Sequence, residues 1–155
     1  MTTTRSHVTS SGALVQDAGR LLLVRHARPG RYDFWVPPGG RVEGEEPLEE
    51  AALRECLEET GIVATAPRLA YIEEFHCPDA RYVKFWFACT LAGGALDAGH
   101  QGNRLEHIVE VGWCTPAEMA ARVLMPPFLQ ARYCRDLAAG FPAPVRMPLR
   151  AMTYW

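Results

Sequence analysis

Residues 40–62 read GRVEGEEPLEEAALRECLEETGI, and their pattern predicts one well-bounded helix. The turn PPGG comes just before it, and Pro47 suits the first position of a helix behind an acidic entry. Gly61 is placed to end the helix, which we therefore expect to span 47–60. The face that should pack on a sheet carries Leu53, Leu57 and Thr60, with Cys56 on its flank.

Three carboxylates, those of Glu55, Glu58 and Glu59, share another face of this helix, because side chains advance by about 100° per residue. Like charges so placed repel, and the Glu55/Glu59 pair at i,i+4 costs roughly a few tenths of a kcal/mol when nothing compensates it. Arg54 compensates the charge only in part. A hard divalent cation with oxygen ligands, Mg²⁺ or Mn²⁺, would balance it.

The spacing of this stretch resembles the Nudix box, G-x5-E-x7-R-E-U-x-E-E-x-G-U, in which U is a bulky aliphatic residue. The positions that match in residue type are Gly40, Glu46, Arg54, Glu55, Glu58, Glu59 and Gly61. At roughly 5–7% usage of each type, a chance match in a chain of this length is below about one in a million. Cys56 stands at an aliphatic position, and because cysteine behaves as a small buried hydrophobe, we expect only local packing to differ.

The resemblance implies a fold of the α/β class: a Nudix-type α/β/α sandwich with a mixed β-sheet and a loop-helix-loop catalytic box, in one domain over residues 1–155. The strands read from the residues alone are compatible with it. SGALVQ and RLLLVRH predict a first hairpin, RLAYIEEFHC and YVKFWFACTL a second, and IVEVGWC a further strand. Thr115 and Glu118 predict a capping box on a short helix, and a last helix is expected over 127–139.

The resemblance also implies an enzyme, a Nudix pyrophosphohydrolase. It would cleave a diphosphate bond in a nucleoside diphosphate derivative, such as a nucleoside triphosphate or a nucleotide sugar like ADP-ribose. The cofactor implied is Mg²⁺ or Mn²⁺. Its ligands would be the carbonyl of Gly39 and the carboxylates of Glu55, Glu58, Glu59 and Glu106.

The catalytic residues implied are Glu55, Glu58 and Arg54. Glu55 is the first candidate for the general base and Glu106 the second, while Arg54 would position the carboxylates. Glu110 is an alternative to Glu106, and from the sequence either could be a surface carboxylate. A Nudix-fold sensor or regulator that binds nucleotides without turnover is the alternative function, which the intact carboxylates disfavour.

The candidate substrate-binding residues lie outside the box: Arg25, Arg28, Arg31, Trp35, Tyr82 and Trp86. Arg25 and His26 close a strand, where one of them reaches a substrate phosphate or the two are a surface pair at the strand end. Trp35 precedes the PPGG turn, and an aromatic residue there stacks on a base or, more often, packs in the core. Strand alternation puts Tyr82, Lys84 and Trp86 on one face, as expected of a half-open pocket wall.

Two other segments have two interpretations each. Glu73, Glu74 and His76 read as a solvated strand edge, with a contact to base or ribose as the alternative. The glycine-rich segment 92–103 lacks any phosphate-binding fingerprint and is either a lid over the substrate or a plain surface loop.

The composition is that of an ordinary soluble protein of 155 residues, with a net charge of -2 and a pI near 6.2. This balance gives no electrostatic footprint for nucleic acid and disfavours RNA end processing. No apolar run approaches the ~18 residues of a membrane span, so we expect no membrane partner and a cytoplasmic location. Five cysteines without a CxxC motif fit reduced, mostly buried thiols. The expected partner is a small nucleotide, and a homodimer is plausible because edge strands need cover.

Overall fold

The computed structural model describes residues 4–99 and 105–152. Within these ranges the elements are, in chain order, β1 (Ser6–Asp17), β2 (Arg20–Arg28), β3 (Tyr32–Val36), β4 (Gly39–Arg41), α1 (Leu48–Thr60), β5 (Ile62–His76), β6 (Ala80–Gly94), β7 (Ile108–Cys114), α2 (Pro116–Ala121), α3 (Phe128–Ala138), β8 (Val145–Arg146) and β9 (Arg150–Ala151). None of the helices in the described ranges is both long and apolar enough to cross a membrane.

The strands form one mixed sheet with the order β3-β2-β1-β6-β5-β8. β1 and β6 pair in parallel, whereas β5 pairs with β6 and β1 with β2 in antiparallel fashion. β4 pairs with β1, β7 with β2 and β9 with β5. The mixed sheet and both hairpins are therefore confirmed. The sequence does not predict β8 and β9, because strands of two residues have no measurable periodicity.

Two hydrophobic clusters cover the two faces of the sheet. Alternation along β1 divides them, since Leu14 belongs to one cluster and Ala13 and Val15 belong to the other. The first cluster includes Met119, Leu129 and Tyr133 from α2 and α3, and the second includes Ala52 and Cys56 from α1. Helices thus lie on both faces of the sheet, and the predicted α/β/α sandwich is confirmed.

Helix α1 follows Pro47 and ends at Gly61, as predicted. Gly61 has a φ of 75°, the left-handed region that favours glycine, and its N–H donates to the carbonyl of Leu57 at 2.9 Å. The prediction of its sheet-facing side is wrong for Leu57, which is 47% exposed, whereas Thr60 and Cys56 are buried as expected. The side chains it buries are Ala51, Ala52, Glu55, Cys56, Glu59 and Thr60. Small residues at this contact let β1 approach, and Ser11 Oγ donates to the carbonyl of Leu48 at 2.6 Å.

The last two helices form as the sequence predicts. Thr115 Oγ1 accepts a hydrogen bond from the N–H of Glu118 at 3.2 Å, and Glu118 Oε2 accepts one from the N–H of Thr115 at 2.7 Å, which completes the capping box of α2. Helix α3 buries Leu129 and Tyr133 against the sheet. Both helices therefore hold the face of the sheet opposite to α1.

All five cysteines are free thiols, and three of them are buried. Burial raises the pKa of both Cys56 and Cys89 to about 12, so neither is a thiolate at neutral pH. The prediction of unpaired, mostly buried thiols is confirmed. Cys56 packs inside the cluster under α1, so cysteine fills the aliphatic position of the box without breaking the core.

Candidate active site

The site begins where β4 brings two glycines against the carboxylates of α1. The N–H of Gly39 donates to Glu59 Oε2 at 3.1 Å. A Cβ atom on Gly40 would lie 2.5 Å from Cδ of Glu55, and one on Gly39 would lie 2.5 Å from the carbonyl oxygen of Ser11. Only glycine allows the strand to approach the helix and β1 so closely, which explains the GG of the PPGG turn.

Arg54 lies among the carboxylates of the box and bonds to three of them. Its Nη1 donates to Glu55 Oε1 and to Glu58 Oε2, each at 3.0 Å. Its Nε and Nη2 donate to Glu46 at 3.0 and 2.7 Å, and Nη2 also reaches the carbonyl of Arg41 at 3.1 Å. Hydrogen bonds from Arg54 and from a backbone N–H lower the pKa of Glu46 to about 2. One guanidinium thus fixes the relative positions of the helix and the loop before it.

Two of these carboxylates are buried, and burial disfavours their charged form. Glu55 is 7% exposed and Glu59 only 3%, and burial raises the pKa of both. The negative charge of Glu106 raises both pKa values further. Such a cluster needs positive charge nearby to remain ionised.

Lys84 supplies one positive charge from the middle of the sheet. Burial lowers its pKa, while the carboxylates of Glu73, Glu59, Glu55 and Glu106 act in the opposite direction. Its Nζ would lie 3.1 Å from a Cβ on Gly39 and lies 4.4 Å from the ring centroid of Trp86. The amino group of Lys84 is therefore held between the carboxylates of the box and the neighbouring strand β5.

The residues present fit a divalent cation by the chemistry of their donors. The implied ligands are all oxygen atoms, and most of them are anionic, as Mg²⁺ and Mn²⁺ prefer. In the described ranges no three side chains of His, Cys, Asp and Glu already form a cation cluster. Arg54 engages one oxygen each of Glu55 and Glu58, and a carboxylate has a second oxygen that can bind a cation.

A cavity of about 570 Å³ opens beside these residues. Gly39, Gly40, Glu55 and Glu106 line one part of it, and the remainder continues across β6 and β5 to β9. The carbonyl oxygen of Glu106 lies 3.0 Å from Nδ1 of His26, which fixes the backbone of Glu106 at the cavity wall. The structure thus brings Glu55 and Glu106, the two candidates for the general base, to one cavity.

The predicted substrate residues divide into two groups. Tyr82 and Trp86 line the cavity. Arg25 instead donates to Asp33 at 2.8 and 2.7 Å and to Glu110 at 3.4 Å, which matches the surface-pair interpretation. The residues that are not among the described cavity-lining residues are Arg25, Arg28, Arg31 and Trp35.

Trp35 packs in the core cluster that faces α2 and α3, and its side chain is 7% exposed. The guanidinium of Arg122 lies 4.0 Å from the centre of its ring. This position matches the packing interpretation of the sequence rather than the stacking of a substrate base. Arg28 and Arg31 are exposed at the end of β2 and in the turn after it.

Lys84 lies on the cavity lining, as the predicted pocket wall requires, whereas Arg150 was not predicted there and Glu73 was expected mainly at a solvated edge. The prediction of a solvated edge is wrong for Glu73, which is 2% exposed. Its partner Arg150 is 77 residues away in the chain, so no local sequence pattern predicts their contact. Lys84 does leave a signal, because it is the chain's only lysine among sixteen Lys and Arg residues.

A mixed sheet between helices, with a glutamate-rich loop-helix-loop segment on a cavity wall, defines the class of proteins with the Nudix fold. The family model described as NUDIX domain matches residues 5–133, and the chain belongs to the Nudix hydrolase family. The predicted enzyme class, a Nudix pyrophosphohydrolase, is thereby confirmed at the level of the family.

Individual proteins agree with this assignment. A MutT-like protein of Streptomyces ambofaciens is 31% identical over 116 residues, which cover 75% of this chain and 68% of that protein. Phosphatase NudJ of Escherichia coli K12 is 35% identical over 88 residues, 56% of either chain, so the match spans little more than half of that relative.

Solved structures share the fold. A NUDIX hydrolase from Nitrosomonas europaea has a TM-score of 0.71 at 24% identity and covers 87% of this chain and 90% of its own. A UDP-X diphosphatase has a TM-score of 0.71 at 22% identity, with 93% and 68% covered. At these identities the similarity extends to the fold alone.

The close approach of the loop to α1 can be tested with one methyl group. We expect Gly40→Ala to lower the free energy of unfolding by about 1–3 kcal/mol, because its Cβ would overlap the carboxylate of Glu55. Urea unfolding followed by circular dichroism measures the change. Gly93→Ala is the matched control, since a Cβ there meets nothing within 4 Å. Equal stability of the two variants would contradict the proposed contact.

Proposed function

We propose that this chain hydrolyses the diphosphate bond of a nucleoside diphosphate derivative in the presence of Mg²⁺ or Mn²⁺. The observation that carries the proposal is the convergence of Glu55, Glu59 and Arg54 with Gly39 and Gly40 beside a cavity. Its volume of about 570 Å³ lies within the range of roughly 300–1,000 Å³ that is typical of small-molecule sites.

The proposed cation ligands are the carbonyl of Gly39 and the carboxylates of Glu55, Glu58, Glu59 and Glu106. When bound there, a divalent cation neutralises charge on the diphosphate, polarises a phosphoryl oxygen and lowers the pKa of water. This chemistry suits a diphosphate, whose own negative charge otherwise repels a nucleophile.

Arg54 acts in this proposal as a positioning residue. Its bonds to Glu55 and Glu58 offset the repulsion between the two carboxylates, and its bonds to Glu46 tie them to the preceding loop. The carboxylates therefore keep their orientation without a contact between Arg54 and the substrate.

Lys84 is proposed to contact a phosphate oxygen of the substrate. Its ammonium group lies on the cavity wall between the carboxylates of the box and strand β5. An ammonium group there attracts an anionic substrate, and an N–H donor to phosphate gives a charge-assisted hydrogen bond. Lys84 thus supplies positive charge for the substrate phosphates in addition to the charge of the cation.

The proton of the attacking water is proposed to pass to a carboxylate oxygen of Glu55, with Glu106 as the alternative. Both side chains border the cavity, which a general base must do to reach the water. Removing a general base lowers the rate by roughly 10²- to 10⁴-fold, so glutamine variants at the two positions, compared at a cation concentration that saturates each variant, identify it.

The substrate proposed is a nucleoside triphosphate or a nucleotide sugar such as ADP-ribose. Aromatic side chains on the walls, among them Tyr82, Phe75 and Phe34, suit a planar base. The names of similar proteins, phosphatase and UDP-X diphosphatase, support a phosphoanhydride of this kind. We also propose that residues 1–155 form one domain, that it works in the cytoplasm with its thiols reduced, and that it forms a homodimer.

The proposal predicts cation-dependent turnover. We expect release of phosphate, pyrophosphate or nucleoside monophosphate from at least one of the nucleoside triphosphates, ADP-ribose, dinucleoside polyphosphates and NADH when Mg²⁺ is present. EDTA should abolish the release, and Glu58→Gln should lower kcat/KM by at least about 100-fold. Glu50→Gln, an exposed glutamate on the same helix, is the matched control and should retain activity.

Tight binding without turnover across this panel would contradict the proposed activity and favour the alternative, a nucleotide sensor. Turnover that persists in EDTA would contradict the role of the cation. Both outcomes are separated from misfolding by the thermal unfolding midpoint of each variant.

The role of Lys84 predicts a loss that depends on charge. Because hydrogen bonds to charged groups contribute about 1.5–3 kcal/mol, Lys84→Met should lower kcat/KM by roughly 10- to 150-fold. Lys84→Arg keeps a positive charge and should lose less. Since Lys84 is the only lysine, reductive methylation followed by mass spectrometry should also show its protection by substrate. Unchanged kcat/KM in Lys84→Met would rule out the contact.

A further inference from the structure

The part of the cavity farthest from the box contains a buried ion pair that the proposed hydrolysis does not use. Nε and Nη2 of Arg150 donate to Glu73 Oε1 at 3.0 and 2.6 Å. Nε1 of Trp86 donates to Glu73 Oε2 at 2.9 Å. Both oxygens of Glu73 are thus bonded, and its side chain is 2% exposed.

Stability alone does not account for this pair. Burying two charges costs desolvation that their attraction often fails to offset, and apolar replacements of similar size are frequently as stable. Glu73 and Arg150 nevertheless lie on the lining of an open cavity, where Arg150 keeps 25% of its side chain exposed. A ligand in the cavity therefore meets a guanidinium whose orientation is fixed by a buried carboxylate.

The hydrogen bonds of Arg150 to Glu73 determine which of its N–H groups remain available to a ligand. Glu73 takes the side of the guanidinium formed by Nε and Nη2. None of the hydrogen bonds of Arg150 within residues 4–99 and 105–152 uses Nη1. Since Nη1 carries two N–H groups and Nη2 a second one, the end of the guanidinium presents a pair of parallel donors.

The surroundings of Arg150 suit a flat aromatic ring. Its guanidinium lies 5.2 Å from the ring centre of Phe75, and the rings of Phe75 and Tyr82 stack at 4.7 Å with an angle of 8°. The rings of His26 and Phe34 stack at 5.4 Å, and all four side chains line the cavity. Phe75 and Tyr82 thus form an aromatic wall beside Arg150, while His26 and Phe34 line another part of the cavity.

The sheet sets the distance between this group and the box. From β4, which touches Glu55 through Gly40, to β5, which carries Glu73, the order β4-β1-β6-β5 contains three strand spacings. At about 4.8 Å per spacing the separation is roughly 14 Å. Lys84 lies in between, directly across from Glu73 in the register of β5 and β6. A nucleotide with its phosphates at the box has the length to place its base at Arg150.

We propose that Arg150, positioned by Glu73, makes this cavity select a 6-oxopurine base, as in guanine or hypoxanthine nucleotides. The paired donors of an arginine match the O6 and N7 acceptors of such a base, whereas adenine presents an N6 donor beside N7. The inference rests on the proposed function for the position of the phosphates. The selection itself depends only on the cavity.

Equilibrium binding tests this selection apart from hydrolysis. With EDTA present and the full chain in calorimetry, GMP and IMP should bind roughly 5- to 150-fold more tightly than AMP, the range of one good bidentate contact. 7-Deaza-GMP, which lacks the N7 acceptor, should bind more weakly than GMP. These arms use the wild-type protein, so they do not depend on the folding of a variant.

Variants assign the selection to its residues. Arg150→Met should remove the preference for GMP over AMP while binding of AMP changes little, and Arg150→Lys should restore it only in part because lysine lacks the paired donors. Glu73→Gln should reduce the preference, since it weakens the group that orients Arg150. Arg146→Met is the matched control, because Arg146 is 71% exposed and bonds to Glu74 on the other face of β5.

Equal binding of GMP and AMP by the wild type, or tighter binding of AMP, would overturn the inference. An equal loss for all bases in Arg150→Met would also overturn it, because Arg150 would then contact phosphate or ribose. Base selection without any hydrolysis would leave the inference in place and refute the proposed function. Hydrolysis without base selection would refute the inference and leave the proposed function in place.

Discussion

Helix α1 packs directly on the two glycines of β4, and this contact sets the positions of the carboxylates in the site. It buries the carboxylates of Glu55 and Glu59, and a buried carboxylate is costly unless positive charge or hydrogen-bond donors surround it. Arg54 and the N–H of Gly39 supply donors, and Lys84 adds charge from the sheet. The buried carboxylates are thus only partly compensated by these donors and by Lys84, and a divalent cation is suited to supply the remaining positive charge.

The sheet converts this local contact into a site with two ends. β6 pairs in parallel with β1, which places Lys84 opposite Ser10, next to the box. β5 pairs with β6 in antiparallel fashion, which places Glu73 opposite Lys84. The C-terminal strands then bring Arg150 across the same face. Anionic and cationic groups therefore alternate along one cavity, which orients a ligand whose charge is confined to its phosphates.

The sequence predicts those features that depend on residues close together in the chain. The glycine stop of α1 and the capping box at Thr115 follow from spacing, and the structure confirms that both form as predicted. The exposure of Leu57 does not follow from spacing, because close packing against the sheet favours alanine and cysteine over the larger leucine. The burial of Glu73 is equally hidden, since its partner Arg150 lies in a strand of two residues that only the folded chain brings near.

Mn²⁺ binding measured by electron paramagnetic resonance tests whether the carboxylates of α1 bind a divalent cation, and it needs no substrate. We expect Glu55→Gln and Glu59→Gln each to weaken Mn²⁺ binding by at least about tenfold, while Glu50→Gln leaves it unchanged. Equal Mn²⁺ affinity in the wild type and all three folded variants would contradict it.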